Sequence, residues 1–382
     1  MRAIVVGGAG AMGRVIVRDL ARSRGVEGVT VADLDGERAK RVASEARGRA
    51  EVRGAGVDVS AAGFPDIVRA HDVCIASVAY RLNPTIAEAC LEAGCNYVDL
   101  GGLFHVARRV LEYDQPFRDA GLTGVTCVGG SPGITNLLAV IGARELEAVH
   151  AIHVRLGSMD PSANSLPLPI PYSLDTILDE FTLPAMAFRD GDFMEVPPLG
   201  EPEDVDFPLP IGRQRAYTTL HSEIATLPLA FPEVQEVTFK IAFDEGFMER
   251  FKLLTAIGLA STDPIQVGDQ RVRPRDVLAT LGLRLPQAAG TEDTECLRVV
   301  LEGERKGKPV TAVAETVIEP DRDAGLGGGA LDTGIPPSVV AQMIVAGEVK
   351  GPGMFAPEVA VDPDLFFDRL AERGIAYRVE VP

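Results

Sequence analysis

The chain has 382 residues, room for two domains of ordinary size, with 46% hydrophobic and 24% charged content. Its net charge of −18 and pI near 4.8 come with no run of Lys or Arg, which excludes a nucleic-acid binder built on a basic stripe. No apolar run nears the roughly 20 residues of a membrane span, and none of the five cysteines shows CxxC spacing, so neither a membrane protein nor a zinc site is expected.

The opening "MRAIVVGGAG" enters a strand pattern at once, with no signal peptide before it, which reads as a cytoplasmic protein. Residues 3–6 form the continuous apolar run of a strand buried on both faces. Gly8, Ala9, Gly10, Ala11, Met12 and Gly13 then complete a GxGxxG that leads into a helix with Val15, Ile16 and Leu20 on one side. The glycines serve a tight turn, a close approach to a pyrophosphate and close helix–strand packing. A second strand, "GVTVAD", ends at Asp33, 20 positions beyond Gly13, where a carboxylate grips a ribose 2′-hydroxyl. With Leu34 and Asp35 following, a 2′-phosphate would meet carboxylates, so NAD is the expected cofactor rather than NADP.

The alternation continues. "AEVRGAGVDV" reads as a third strand with Asp58 and Val59 beside the adenine. "HDVCIASV" reads as a fourth, bringing Ser77 and Val78 to the cofactor. "NYVDLGG" and "LTGVTCVGG" read as a fifth and sixth, separated by the helical stretch "FHVARRVLEYDQPFRDAG". Strands alternating with helices imply right-handed crossovers and an α/β Rossmann fold with a doubly wound parallel sheet. Ligands on such sheets sit beyond the carboxyl ends of the strands, which marks Ser77–Tyr80, Asp99–Gly102 and Gly129–Pro132 as edges of one cleft.

Beyond "GGSPGITNLLAVIGARELEAVH" the rhythm changes to an α+β pattern. It contains a strand "HAIHVRLG", a proline-rich loop "SANSLPLPIPYS", a helix "SLDTILDEF" capped by Ser173, and the strands "EVQEVTFKIAF", "ECLRVVLEG" and "PVTAVAETVIE". "AGLGGGALDTGIPP" reads as a hinge or loop, with a helix beginning at the prolines of "PPSVVAQMIVAGEV". The division is an NAD-binding domain over 1–130, an α+β substrate and dimerisation domain over 131–333, and a C-terminal segment 334–382.

The fingerprint at 8–13, "YVDLGG" at 97–102, "GGSPGITNLLA" at 129–139, "YSLDTILDEFTLPAMAFRDG" at 172–191, "TTLHSEIATLP" at 218–228 and "GMFAPE" near the C-terminus together resemble the saccharopine dehydrogenase family, over essentially the whole chain and in the right order. Within it the likeness is to the lysine 6-dehydrogenase branch. The resemblance implies that 334–382 returns to the nucleotide domain and that the second domain binds substrate and forms a homodimer. It also implies that a hydride moves between nicotinamide and the carbon of a lysine-type amine, through an imine. The main reading is oxidative deamination of L-lysine at its 6-amino group. Saccharopine or carboxynorspermidine dehydrogenase (reductase) chemistry is the alternative, and a non-catalytic NAD-binding sensor the reading of another class.

Such a reaction needs a neutral amine, whose free pKa is about 10.4, so a base is required. A fixed carboxylate would stabilise the iminium. His221 is the candidate base, one of five histidines, and Asp99 the candidate carboxylate. Thr219 and Ser222 are candidates to hydrogen-bond the substrate, Arg215 or Arg213 to clamp its carboxylate, and Tyr80 to pack on substrate or nicotinamide. Tyr172 and Asp175 draw interest only from the family block. His71, His150 and His153 read as surface or sheet residues and His105 as structural. No tyrosine has Lys four positions on, which excludes a short-chain dehydrogenase, and no GxxxxGK exists for a Walker site.

Overall fold

The computed structural model describes every residue except 162–167, 169, 171, 283, 286–291 and 382. Part of the expected proline-rich loop therefore lies outside the described residues. The first sheet is built from β1 (Arg2–Val6), β2 (Gly28–Asp33), β3 (Glu51–Gly56), β4 (Val73–Ala76), β5 (Asn96–Asp99) and β6 (Thr123–Val125). A second sheet holds β7 (Ala148–Met159), β8 (Ala185–Arg189), β9 (Asp192–Val196), β10 (Gly200–Asp206), β11 (Arg213–Thr218), β12 (Glu236–Ala242), β15 (Thr294–Arg305) and β16 (Lys308–Ile318), while β13 (Ile265–Val267) and β14 (Gln270–Val272) form a separate hairpin. The last two strands are β17 (Gly353–Phe355) and β18 (Tyr377–Glu380).

The first sheet runs β17-β6-β5-β4-β1-β2-β3, all parallel, with the order reversing beside β1. Ile4, Val5 and Val31 in its middle are 0% exposed, each contributing about 1.5–3 kcal/mol by leaving water. The second sheet is mixed, in the order β10-β11-β12-β7-β15-β16-β18, with β8 and β9 branching from β12. Only β12 with β7 is parallel there; the other described pairings are antiparallel.

Two features depart from the sequence reading. The helix expected to begin at Pro336 spans Gly328–Val345, so its first turns occupy the stretch taken for a hinge. Pro336 and Pro337 sit inside it, where tertiary packing overrides the proline signal: Gly334 lies so close to the Ala11–Arg22 helix that a Cβ there would stand 2.5 Å from the Val15 Cβ. Nor does all of 334–382 join the nucleotide domain. β17 pairs with β6, but β18 pairs with β16 and extends the second sheet. The helix Ile134–Ala143 leads out of the β6 loop into the second domain, with Leu137, Leu138 and Ala139 at 0% exposure. Both domains thus meet at the carboxyl ends of β4, β5 and β6.

Candidate active site

The dinucleotide edge is local in origin. Gly7 has φ of 76°, and a side chain on Gly13 would collide with the Gly7 carbonyl, so the turn into the Ala11–Arg22 helix requires both glycines. No side chain caps that helix, which leaves its first-turn N–H groups for a diphosphate. Asp33 Oδ2 accepts from the Ala9 N–H at 3.2 Å and Oδ1 from the Asp35 N–H at 3.1 Å, fixing the carboxylate at the tip of β2. Leu34 beside it is 78% exposed. Asp58, exposed, and Val59 follow β3. Half-buried Ser77 and Val78 follow β4, the Ser77 N–H bonding the Val6 carbonyl at 2.8 Å. An uncapped helix start, a glycine turn and a fixed acid at the β2 tip fit a nicotinamide dinucleotide.

Across the gap, β11 ends at Thr218 and the helix Glu223–Ala230 begins five residues later, so His221 stands in a loop rather than on a strand. Its ring stacks on Phe239 of β12, centroids 3.8 Å apart and 7° from parallel. Its side chain keeps 12% exposure, and Nδ1–H donates to Glu223 Oε2. Glu223, 0% exposed, accepts on Oε1 from Ser131 Oγ and from Thr135 Oγ1 at 3.0 Å. Those hydroxyls belong to the loop after β6 and the helix it starts. One buried carboxylate therefore ties the imidazole to the ligand edge of the nucleotide sheet.

Burial pulls the His221 pKa down, but the Glu223 carboxylate, with a contribution from Glu180, more than offsets it and leaves the pKa raised. Burial likewise opposes charge on Glu223, yet the imidazole and the Ser131 hydroxyl hold its pKa below 4.5. The pair is an imidazolium–carboxylate, with Nε2 as the ring's second proton-bearing atom. Glu180, on the helix Leu174–Thr182, is 2% exposed and accepts from the Tyr172 hydroxyl at 2.5 Å; burial pushes its pKa up to about 7. The sequence reading missed Glu180. A glutamate inside "LDEF" looks like a solvated helix face, and only its contacts reveal otherwise.

Other expected residues take different places. Asp99 is 0% exposed and accepts from the Tyr97 hydroxyl (2.7 Å), the Gly101 N–H (2.6 Å), the Cys127 N–H (2.9 Å) and Thr126 Oγ1 (2.9 Å). Burial raises its pKa against those donors. With its lone pairs committed it anchors the β5 and β6 loops and cannot face an iminium, which corrects its assignment as the catalytic carboxylate. Tyr80 is 8% exposed: its hydroxyl donates to Asp179 Oδ2 at 2.6 Å, joining the β4 loop to the second domain, and the Arg81 guanidinium lies over its ring at 4.7 Å. Asp179 also receives Arg81 (2.6 Å) and Arg275 (2.7 Å).

Arg215 points outward from β11 and is exposed, and Arg213 pairs with Asp204 at 3.1 Å, so neither is placed beside His221 as a carboxylate clamp. Thr219 and Ser222 are 0% exposed, and their hydroxyl oxygens have no hydrogen-bond partner among the described residues. His71 is not a surface residue: it is buried, with Nε2 2.8 Å from Thr30 Oγ1. Among the described residues no cluster of His, Cys, Asp and Glu could hold a metal, and no helix is long and apolar enough to cross a membrane.

Residues 4–125 match the model of the saccharopine dehydrogenase NADP binding domain and residues 129–375 that of the saccharopine dehydrogenase C-terminal domain. The chain is 23% identical to the carboxyaminopropylagmatine dehydrogenase of Synechocystis sp., over 99% of this chain and 97% of the relative. It is also 23% identical to the carboxynorspermidine synthase of Vibrio cholerae, over 97% of this chain and 95% of the relative. In fold it is similar to the saccharopine dehydrogenase (L-Glu forming) of Saccharomyces cerevisiae, with a TM-score of 0.76 at 18% identity, covering 100% of this chain and 99% of the other.

Proposed function

The chain belongs to the saccharopine dehydrogenase family of NAD(P)-dependent oxidoreductases, and from that membership we propose that it makes or oxidises the secondary amine of a carboxyalkyl polyamine, with NAD as its cofactor. This reading supersedes lysine as the expected substrate. Its support is that the full-length relatives carry carboxyaminopropylagmatine and carboxynorspermidine in their names, while the match to a fungal saccharopine dehydrogenase spans 51% of this chain. The observation that carries it is the buried His221–Glu223 pair held to Ser131 and Thr135, with Glu180 next to it.

When bound, the nicotinamide exchanges a hydride with the carbon attached to nitrogen. The chain's own groups handle the protons. In the amine-forming direction a carbinolamine must lose water before reduction, and His221 Nε2–H is the acid, its pKa raised by the Glu223 carboxylate. In the oxidative direction the substrate ammonium must first become neutral, and Glu180, titrating near 7, is the group that accepts a proton without lying far below ambient pH. Glu223 holds the ring still and balances its charge.

NAD rather than NADP is favoured by Asp33, whose fixed carboxylate would repel a 2′-phosphate. A homodimer through the second domain is what the family resemblance implies, and sedimentation checks it. The test of function is nicotinamide absorbance with carboxynorspermidine, saccharopine and lysine in turn. Turnover of the first at kcat/KM at least tenfold above the others supports the reading. Turnover of lysine alone returns the lysine dehydrogenase, and turnover of none favours the sensor.

A further inference from the structure

Beside the His221–Glu223 pair lies a second set of acidic groups for which the proton chemistry above has no use. Asp332, on the second turn of the Gly328–Val345 helix, is 1% exposed. Its Oδ1 accepts from Thr333 Oγ1 at 3.0 Å, while Oδ2 is buried with no hydrogen-bond partner among the described residues. It faces Gly130: a Cβ on that glycine would stand 2.7 Å from the carboxyl carbon and 2.8 Å from Oδ2. Gly130 directly precedes Ser131, the residue that bonds Glu223. The acid thus borders the same loop as the candidate catalytic pair, one residue away.

Asp332 is not alone. Glu295, at the start of β15, reaches the same helix end, where a Cβ on Gly329 would lie 2.5 Å from its Oε2. Asp293 caps that helix end, accepting from the Gly329 N–H at 2.8 Å. Neither Asp332 nor Glu295 caps the helix among the described residues, and Glu295 raises the pKa of Asp332. Burial first, then Glu295 and Asp293, pushes Asp332 well above the ordinary range, and burial with Asp293 pushes Glu295 to about 8. Glu295 acts electrostatically on Tyr172 as well, which donates to Glu180, so the acidic set is continuous with the proton-handling groups. Pro336 and Pro337 lack N–H groups and cannot donate to the carbonyls of Asp332 and Thr333, two further oxygens at this helix end. With nothing bound, these buried carboxyls avoid the cost of an unpaired charge by keeping their protons. An ammonium brought by a ligand supplies the partner charge that lets them ionise.

We infer that Asp332 and Glu295 form a subsite for an ammonium of the amine substrate, separate from the nitrogen that reacts beside His221. The substrate class is then an alkyl diamine or polyamine carrying at least two positive charges, not a monoamine. The inference rests on the proposed carbon–nitrogen chemistry for its meaning but has its own readout in binding. The reacting nitrogen loses its proton beside His221, and the distal nitrogen keeps its proton and is held by the acids, so one end of the substrate reacts while the other sets its position.

The experiment is calorimetric titration of the full chain, loaded with NAD, with 1,3-diaminopropane and norspermidine, and with n-propylamine as the single-charge control. The expected result is that both polycations bind at least about 30-fold more tightly than propylamine, in keeping with charge-assisted hydrogen bonds to a buried acid. D332N is expected to remove most of that advantage while changing propylamine binding less than about threefold. E295Q carries the same comparison should D332N not fold, as judged by its thermal transition. Equal affinity for mono- and diamines in the wild type overturns the subsite, as does an undiminished preference in both variants. Diamine binding without any turnover of carboxylated polyamines would leave the subsite standing and refute the proposed reaction instead.

Discussion

Replacing Glu223 by glutamine keeps the shape of the side chain and removes its charge. The carboxylate is 0% exposed and holds three donors: His221 Nδ1–H, Ser131 Oγ and Thr135 Oγ1. A glutamine has one acceptor oxygen and places an NH2 against at least one donor. Hydrogen bonds to a charged group contribute about 1.5–3 kcal/mol, and breaking a buried ion pair costs about 3–5, so a loss of about 3 kcal/mol is expected. At about 2.1 cal/mol/K of unfolding entropy per residue, that is about 4 °C in Tm for the 382-residue chain.

The pH dependence has a definite sign. His221 has a raised folded pKa, so its stabilisation is full below about 6.5 and fades as pH climbs through the raised value. Glu223 has a lowered folded pKa, so its contribution is present above 4.5 and fades as pH falls through the lower value. The wild-type advantage in Tm over E223Q is therefore greatest between about pH 5 and 6.5 and shrinks on either side. In the same variant the His221 pKa, read by NMR of its ring protons, falls, because burial is no longer opposed by the Glu223 charge. An unmoved imidazole pKa, or a Tm difference flat from pH 5 to 9, would refute the reasoning.

Glu180→Gln is expected to stabilise the protein above pH 7. The folded pKa of about 7 against 4.5 means that ionisation opposes folding by up to about 3 kcal/mol, felt as pH rises through that window. Thermal scans at pH 5 and pH 8 check this, and oxidative turnover should fall at least tenfold in the same variant. Asp99→Asn should cost about 3 kcal/mol of stability, because the amide nitrogen meets donors, while the folded fraction keeps kcat within about threefold. A collapse of kcat with unchanged Tm would restore Asp99 to the chemistry. Asp33→Ala should weaken NAD about 10-fold or more and NADP far less, measured by quenching of nicotinamide fluorescence, because only the 2′-hydroxyl loses a partner.

What could be read from sequence follows the range of the interactions. The glycine turn and Asp33 are legible because both act within one βαβ unit at a set spacing, and the alternation of strands and helices announces the parallel sheet. His221 stands out by rarity and by the family block around it. Its true anchor is less visible: Ser131 and Glu223 are 92 positions apart, and nothing local in "SPGITN" points to a buried glutamate. Asp99 misleads for the same reason. An acid at a strand end before two glycines looks open to ligand, yet Thr126 and Cys127, 27 and 28 positions later, turn inward to bind it. The prolines at 336–337 read locally as a helix start, because the packing of Gly334 on Val15 cannot be seen from the local pattern.

The central claim is that His221 works on the substrate in the cleft shared by both domains. It is tested most directly by comparing wild type and His221→Ala in nicotinamide absorbance assays with carboxynorspermidine, in both directions, with NAD affinity measured alongside. The account predicts that kcat falls at least about 100-fold while NAD binds as before. Undiminished turnover in the variant, or a loss explained entirely by weaker NAD binding, would contradict it.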